Sequence, residues 1–241
     1  AEVRASRLNR ETAMNVRAIT FDYFGTLVDV DRGGMAGIEA VLAEAGLRTE
    51  RPLFELYLDW DIRNVQRYRG GRWRPYRQVA REALRETLEA IEPDVTARLD
   101  IDLLNELYLG HLVESAPPHP EVEAILQRPA ERFPLMPITN MDSDLWQRSQ
   151  LVRFFDQVTT AEMARAYKPS ESIFRLALDR LAVPAESVLH CSLASWADID
   201  GAKPLGMQVA WINRGAERLS VWQPRPDHEF PTLEGVLALL D

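Results

Sequence analysis

The sequence predicts an α/β protein: a parallel sheet covered by helices on both faces, with an all-helical unit inserted near its start. Three observations predict it. Helix-like and strand-like segments alternate from residue 120 onward. Residues 33–117 carry helical periodicity without a strand pattern. An apolar run at residues 16–21, broken only by Arg17, stops abruptly on Asp22 before a Gly25-Thr26 turn.

That first run reads as a short buried strand. In open parallel sheets the ligand site lies outside the C-terminal ends of the strands, so a carboxylate there is placed to act. Backbone amides of the following turn can hold negative charge while the carboxylate attacks. Alone, Asp22 would read as an acidic turn residue. In the insert, Met35, Ile38, Val41, Leu42 and Ala45 share one helical face, and Tyr76, Val79, Ala80, Ala83, Leu84, Thr87, Leu88 and Ile91 another. Two more helices are expected at residues 53–65 and 101–112. Gly33-Gly34 and Pro117-Pro118 bracket the region and read as the two crossings of a hinge.

The expected division is therefore residues 14–32 and 118–241 for the α/β core and 33–117 for a helical cap, with residues 1–13 a polar extension or expression remnant ahead of Met14. Within the second part of the core, strands are expected at 135–139, 157–160, 187–191 and 207–212. Helices are expected at 121–127, 143–154, 170–181, 195–205 and 232–240. Pro137 removes a ladder donor from a central strand, so a bulge or distorted pairing is expected there.

With 241 residues, 46% hydrophobic and 27% charged, the chain has the composition of an ordinary globular protein. A net charge of −9 argues against nucleic acid or an anionic membrane as partner. Arg63, Arg67, Arg69, Arg72 and Arg74 form a local basic patch that reads as a solvated helix end and loop. The single cysteine, Cys191, allows no intrachain disulfide and suits a reducing compartment. No apolar stretch reaches the roughly 20 residues of a membrane span, so a cytoplasmic location is expected. The four histidines lack paired ligand spacing, and His190 reads as core or site lining.

Asp22-Tyr23-Phe24-Gly25-Thr26-Leu27 resembles the first motif of the haloacid dehalogenase superfamily, Asp-x-x-Gly-Thr-Leu, in which the leading Asp is the nucleophile. Three later segments resemble the remaining motifs in order. Thr139-Asn140 ends a strand, Lys168 precedes Pro169, and Asp198 lies three residues before Gly201-Ala202. Asn140-Met141-Asp142 and Trp211-Ile212-Asn213-Arg214 are similar to the L-2-haloacid dehalogenase-like branch. The resemblance implies a Rossmann-like core with a helical cap, and Asp22, Lys168, Asp198 and Thr139 as catalytic residues. Phe24, Thr26, Asn140, Ser195 and an arginine of the cap, Arg63 or Arg67, would contact the substrate. Read from the residues alone, Thr139 could equally be a helix cap and Lys168-Pro169 a surface turn.

Two departures discriminate between reactions. The superfamily's phosphatases carry an acid two residues after the nucleophile, where this chain has Phe24. Loss of such an acid costs about 10²–10⁴-fold, whereas a halide leaves without a proton. Leu193 stands where those enzymes usually place a metal-binding carboxylate. No cofactor is therefore expected. Mg²⁺ would have only Asp22, the Phe24 carbonyl and Asp198, short of its usual six oxygens. The reading that results is an aspartyl-ester hydrolase cleaving a carbon–halogen bond in a small anionic substrate, with a homodimer possible. The alternatives are a Mg²⁺-dependent phosphatase for a small phosphate ester and a silent binding module.

Overall fold

A computed structural model describes residues 15–69 and 72–240; the expected extension at 1–13, with Met14, lies outside them. Six parallel strands form one sheet: β1 (Ala18–Phe21), β2 (Leu135–Thr139), β3 (Thr159–Thr160), β4 (Val188–Ser192), β5 (Gln208–Ile212) and β6 (His228–Phe230), in the order β3-β2-β1-β4-β5-β6. From β1 the chain proceeds to β2 and β3 on one side and to β4, β5 and β6 on the other. The strand order therefore reverses between β1 and β4, which opens a crevice at their C-terminal ends. Every residue of β1, β2 and β4 is buried, as a sheet covered on both faces requires.

Pro137 causes no break. It pairs with Phe21 in an uninterrupted register that begins at Ile19 and Leu135. Ile19 donates its N–H to the Pro134 carbonyl at 3.1 Å, and alternation along β2 then turns the Pro137 nitrogen toward β3. The β3 ladder starts only at Ile138, so no partner acceptor waits for the missing N–H. In place of the expected bulge, the proline occupies a position that faces β3's side of the sheet before the β2–β3 ladder begins.

Between β1 and β2 the described residues form five α-helices, of which the first four are α1 (Val30–Ala45), α2 (Leu53–Arg69), α3 (Tyr76–Glu89) and α4 (Ile101–Leu109), the last extended by a wide turn at Gly110–Glu114. The two chain crossings lie side by side, where Val28 bridges Pro118 and Asp29 donates its N–H to the Pro117 carbonyl at 2.8 Å. Gly33-Gly34 does not form a hinge but lies inside α1. A Cβ on Gly33 would come within 2.7 Å of Ala116 Cβ, and one on Gly34 within 2.3 Å of the Tyr57 ring. These glycines let α1 approach its neighbours closely.

The helical layer is tied to the sheet. Pro75, at the start of α3, offers no side-chain cap. Asp142, from the loop after β2, supplies it instead, accepting the N–H groups of Tyr76 at 2.7 Å and Arg77 at 2.9 Å. An N-cap of this kind is worth about 1 kcal/mol. Tyr167 Oη donates to the Arg74 carbonyl at 2.8 Å, and Arg77 pairs with Asp144 at 2.9 Å. The basic patch is largely neutralised within the layer: Arg63 pairs with Asp59 and Glu86, Arg67 with Glu82 and Glu86, and Arg74 with Glu82.

The remaining helices are α5 (Val122–Ala130), α6 (Ser143–Gln147), α7 (Ala161–Ala164), α8 (Glu171–Leu181), α9 (Asp200–Ala202) and α10 (Glu234–Leu240). Two expected helices are broken up. Residues 143–154 form α6 and a separate turn at Val152–Phe154; residues 195–205 form a wide turn at Ser195–Ile199, then α9, then a tight turn at Lys203–Leu205. Among the described residues no helix is long and apolar enough to cross a membrane.

Candidate active site

Asp22 follows β1 directly and is 4% exposed. Its N–H still bonds the Cys191 carbonyl at 3.0 Å, so the sheet ladder fixes its backbone. Gly25, with a φ of +76°, turns the chain back. That turn brings the Thr26 hydroxyl to Asp22 Oδ2 at 2.9 Å. The same hydroxyl accepts the Leu193 N–H at 2.8 Å, which joins the loops after β1 and β4. Arg214 Nη2 reaches the Thr26 carbonyl at 2.9 Å and Glu121 at 2.7 Å, holding the turn from β5's side.

Lys168, 2% exposed, lies between two carboxylates. Its Nζ is 2.6 Å from Asp22 Oδ1 and 2.8 Å from Asp198 Oδ1. Asn140 holds the lysine's backbone, accepting the Lys168 N–H on Oδ1 at 2.7 Å. Behind Asp198, His190 Nε2 lies 2.8 Å from the same Oδ1, and its Nδ1 lies 2.8 Å from the Thr20 hydroxyl. Thr20 and His190 are register partners on β1 and β4, so the line of polar groups crosses the centre of the sheet. Both are fully buried. Asp198 Oδ2 is buried with no partner among the described residues.

The charges in this line are set by burial and by one another. Burial, reinforced by Asp198, raises the Asp22 carboxyl above the usual carboxylate range although Lys168 pulls the other way. Burial also works against the charge on Asp198, yet Lys168 and His190 hold its carboxyl down at about 2. Burial would depress Lys168, but Asp198 and Asp22 outweigh it and raise it. The lysine is therefore a fixed cation, and Asp22 is the more basic of its two partners.

A cavity of about 250 Å³ opens in front of Asp22. Asp22, Phe24, Asn140 and Lys168 line it from the sheet side; Asp31, Tyr57, Asp61, Asn64, Tyr68 and Tyr76 line it from the helices. Phe24 stacks on Tyr76 with ring centroids 6.1 Å apart. Of the residues expected from sequence, Asp22, Phe24, Asn140 and Lys168 meet in this cavity. Asp198 and Thr26 stand one layer behind, each bonded to a residue of that group. Thr139 is fully buried beside them, its Oγ1 without a partner among the described residues.

Two expected contacts are absent. Arg63 does not reach the cavity: its guanidinium is 3.1 Å from Glu86 and 3.3 Å from Asp59, on the side of α2 that faces α3. Its neighbour Asn64 lines the cavity in its place. Ser195 also lies outside the lining, which Ala194, Trp196 and Ala197 supply. The wide turn at Ser195–Ile199 changes the helical phase there.

The donor set does not suit a divalent cation. An ammonium already bridges Asp22 and Asp198. The side chain of Leu193, not a carboxylate, stands over Gly25. Among the described residues no three Asp, Glu, His or Cys side chains converge on one point.

Comparison with known proteins gives a consistent picture. Residues 16–206 match the family model for haloacid dehalogenase-like hydrolases. The (S)-2-haloacid dehalogenase H-109 of Pseudomonas putida is 28% identical over 204 residues, covering 83% of this chain and 86% of that one. The haloacetate dehalogenase H-2 of a Moraxella species is 25% identical over 234 residues, covering 93% and 98%. An L-2-haloacid dehalogenase of Xanthobacter autotrophicus, solved with chloropropionic acid covalently bound, superimposes with a TM-score of 0.77 at 22% identity, covering 93% and 98%. At that identity the last likeness is one of fold.

Proposed function

The chain belongs to the haloacid dehalogenase-like hydrolase family, and from that premise we propose that it hydrolyses a carbon–halogen bond of a small carboxylate through an ester on Asp22. In this reading Asp22 attacks the halogen-bearing carbon, the new C–O bond forms as the C–halogen bond breaks, and halide departs with the bonding pair. Water then attacks the ester carbonyl, restoring the Asp22 carboxylate and releasing the hydroxy acid and a proton. Lys168 keeps Asp22 ionised and aimed, and it offsets charge during both steps. Asp198, pinned by His190, fixes Lys168 and offers Oδ2 as an acceptor to the attacking water. Thr26 and Asn140 hold the loops from which these groups project, and the Thr139 hydroxyl, without a partner among the described residues, is left to bond the substrate.

The observation that carries the reading is the buried Asp22–Lys168 contact of 2.6 Å at the base of a cavity. Two residues from the nucleophile, Phe24 can neither donate nor accept a proton. A leaving group that needs no proton suits that site. Residues 33–117 act in this reading as the cap over a core made of 14–32 and 118–241. The buried, free Cys191 supports a cytoplasmic setting. An exposed apolar stripe on α2, formed by Phe54, Leu58 and Ile62, supports a homodimer.

The test is chloride release from 2-chloropropionate, run beside phosphate release from an aryl phosphate, each with EDTA and with Mg²⁺. The reading expects EDTA-insensitive chloride release that Asp22→Asn reduces by about 10⁴-fold or more. Phosphate release that depends on Mg²⁺, without chloride release, would overturn it.

A further inference from the structure

The helical side of the cavity carries the wrong charge for a simple anion. Asp31 and Asp61 both line it, and among the described residues neither takes part in an ion pair. Among the described residues Lys168 is the only cationic side chain in the lining, and it is already shared by two carboxylates. Burial and the nearby Asp31 push the Asp61 carboxyl up to about 6, as happens to a carboxylate with no cation beside it. The Tyr57 hydroxyl interacts with Asp31 and so cannot supply the missing charge.

A second observation points to the same ligand chemistry. Asn64, 2% exposed, also lines the cavity. Its Nδ2 donates to the Tyr76 hydroxyl at 3.2 Å, and its Oδ1 is buried with no partner among the described residues. Tyr57, Asp61, Asn64 and Tyr68 recur on α2 at spacings of four, three and four residues, hence on one face. That face presents two carboxylates' worth of acceptors with Asp31, an unused amide oxygen and the rings of Tyr57 and Tyr68. Acceptors and aromatic faces with no cation of their own are what a substituted ammonium group requires.

We propose that this wall binds a cationic amino group of the substrate, so that the substrate is a haloacid with an ammonium at its far end rather than a plain anion. The halogen-bearing carbon faces Asp22, and the ammonium lies against Asp61, Asp31 and Asn64 Oδ1. The inference rests on the reading that the cavity before Asp22 receives the substrate. It goes beyond that reading by naming the group that selects it.

The test uses the purified full chain with two halogenated probes, 2-chloropropionate and 6-amino-2-chlorohexanoate, and one unreactive probe, butylammonium. Chloride release should favour the amino probe in kcat/KM by about tenfold or more, the worth of a charge-assisted hydrogen bond. Asp61→Asn should remove most of that preference. The same substitution should weaken calorimetric binding of butylammonium by about tenfold, a readout independent of turnover. Equal turnover of the two acids, unaffected by Asp61→Asn, would overturn the proposal while leaving the dehalogenase reading intact. Butylammonium binding that depends on Asp61, with no chloride released from either acid, would overturn the reaction and leave the cation site standing.

Discussion

The two walls of the cavity are built on opposite plans. On the sheet side every charged side chain is paired, although Thr139 Oγ1 and Asp198 Oδ2 lack partners among the described residues: Lys168 joins Asp22 to Asp198, Thr26 joins Asp22 to Leu193, and His190 joins Asp198 to Thr20. On the helical side, among the described residues, Asp61 takes part in no ion pair and the Asn64 oxygen has no partner. A wall that satisfies itself can hold a reacting group rigidly whatever the substrate. A wall that leaves acceptors open gains its partners only when a ligand arrives, so it decides which ligand is kept.

The sharpest break in this contrast is Lys168→Met. It leaves two carboxylates facing each other in a dry site, so Asp22 should take up a proton near neutral pH and turnover should fall by about 10³-fold. Breaking a buried pair from one side costs about 3–5 kcal/mol, so urea unfolding should report the same substitution directly. If the variant keeps its activity, the sheet-side network is not what ionises Asp22.

His190→Gln is a milder probe of the same wall. Losing the imidazole should let the Asp198 carboxyl rise from about 2 and weaken its grip on Lys168. A fall of about tenfold in kcat with little change in KM, with the acid limb of the pH profile displaced upward, is the expected signature. A residue that merely fills the core would change stability and leave the pH profile in place.

The smallest effect belongs to the open wall. Asp61 titrates at about 6 in the folded chain against 3.8 ordinarily. A raised acid contributes most stability below its unfolded value, and that contribution is lost as pH rises from about 4 through 6. Asp61→Asn should therefore match the parent near pH 4 and exceed it at pH 8. Half-burial limits the gain to about 1–2 kcal/mol, or about 2–8 °C in Tm. A Tm difference that does not vary with pH would mean Asp61 is solvated.

The sheet wall was far more legible in the sequence than the helical one. Asp22 announces itself because a strand end, a short turn and one residue type coincide locally, whereas Lys168 and Asp198 become legible only through the order of motifs that the family resemblance supplies. Arg63 misled because charge was weighed without helical phase. Leu56, Tyr57, Trp60 and Asn64 are the buried positions of α2, a pattern that directs Asn64 rather than Arg63 toward the crevice. Gly33-Gly34 looked like a hinge because the residues it makes room for, Ala116 and Tyr57, are distant in sequence. β6 was missed since His228-Glu229-Phe230 has too little apolar character; only the exposed edge of β5 recruits it. The wide turn at Ser195–Ile199, which moves Ser195 off the cavity, leaves no sequence signal distinct from an ordinary helix.

Asp142 has one further consequence. A single residue, Met141, separates it from Asn140, and the two side chains grip different parts of the molecule: one the first amides of α3, the other the backbone of Lys168. Any excursion of α3 away from the sheet must strip Asp142 of both its donors and tug the loop whose Asn140 holds the Lys168 N–H. Admission of substrate and placement of the ammonium are thereby wired to a single short stretch of chain, and a molecule that gapes open is, by the same movement, detuned.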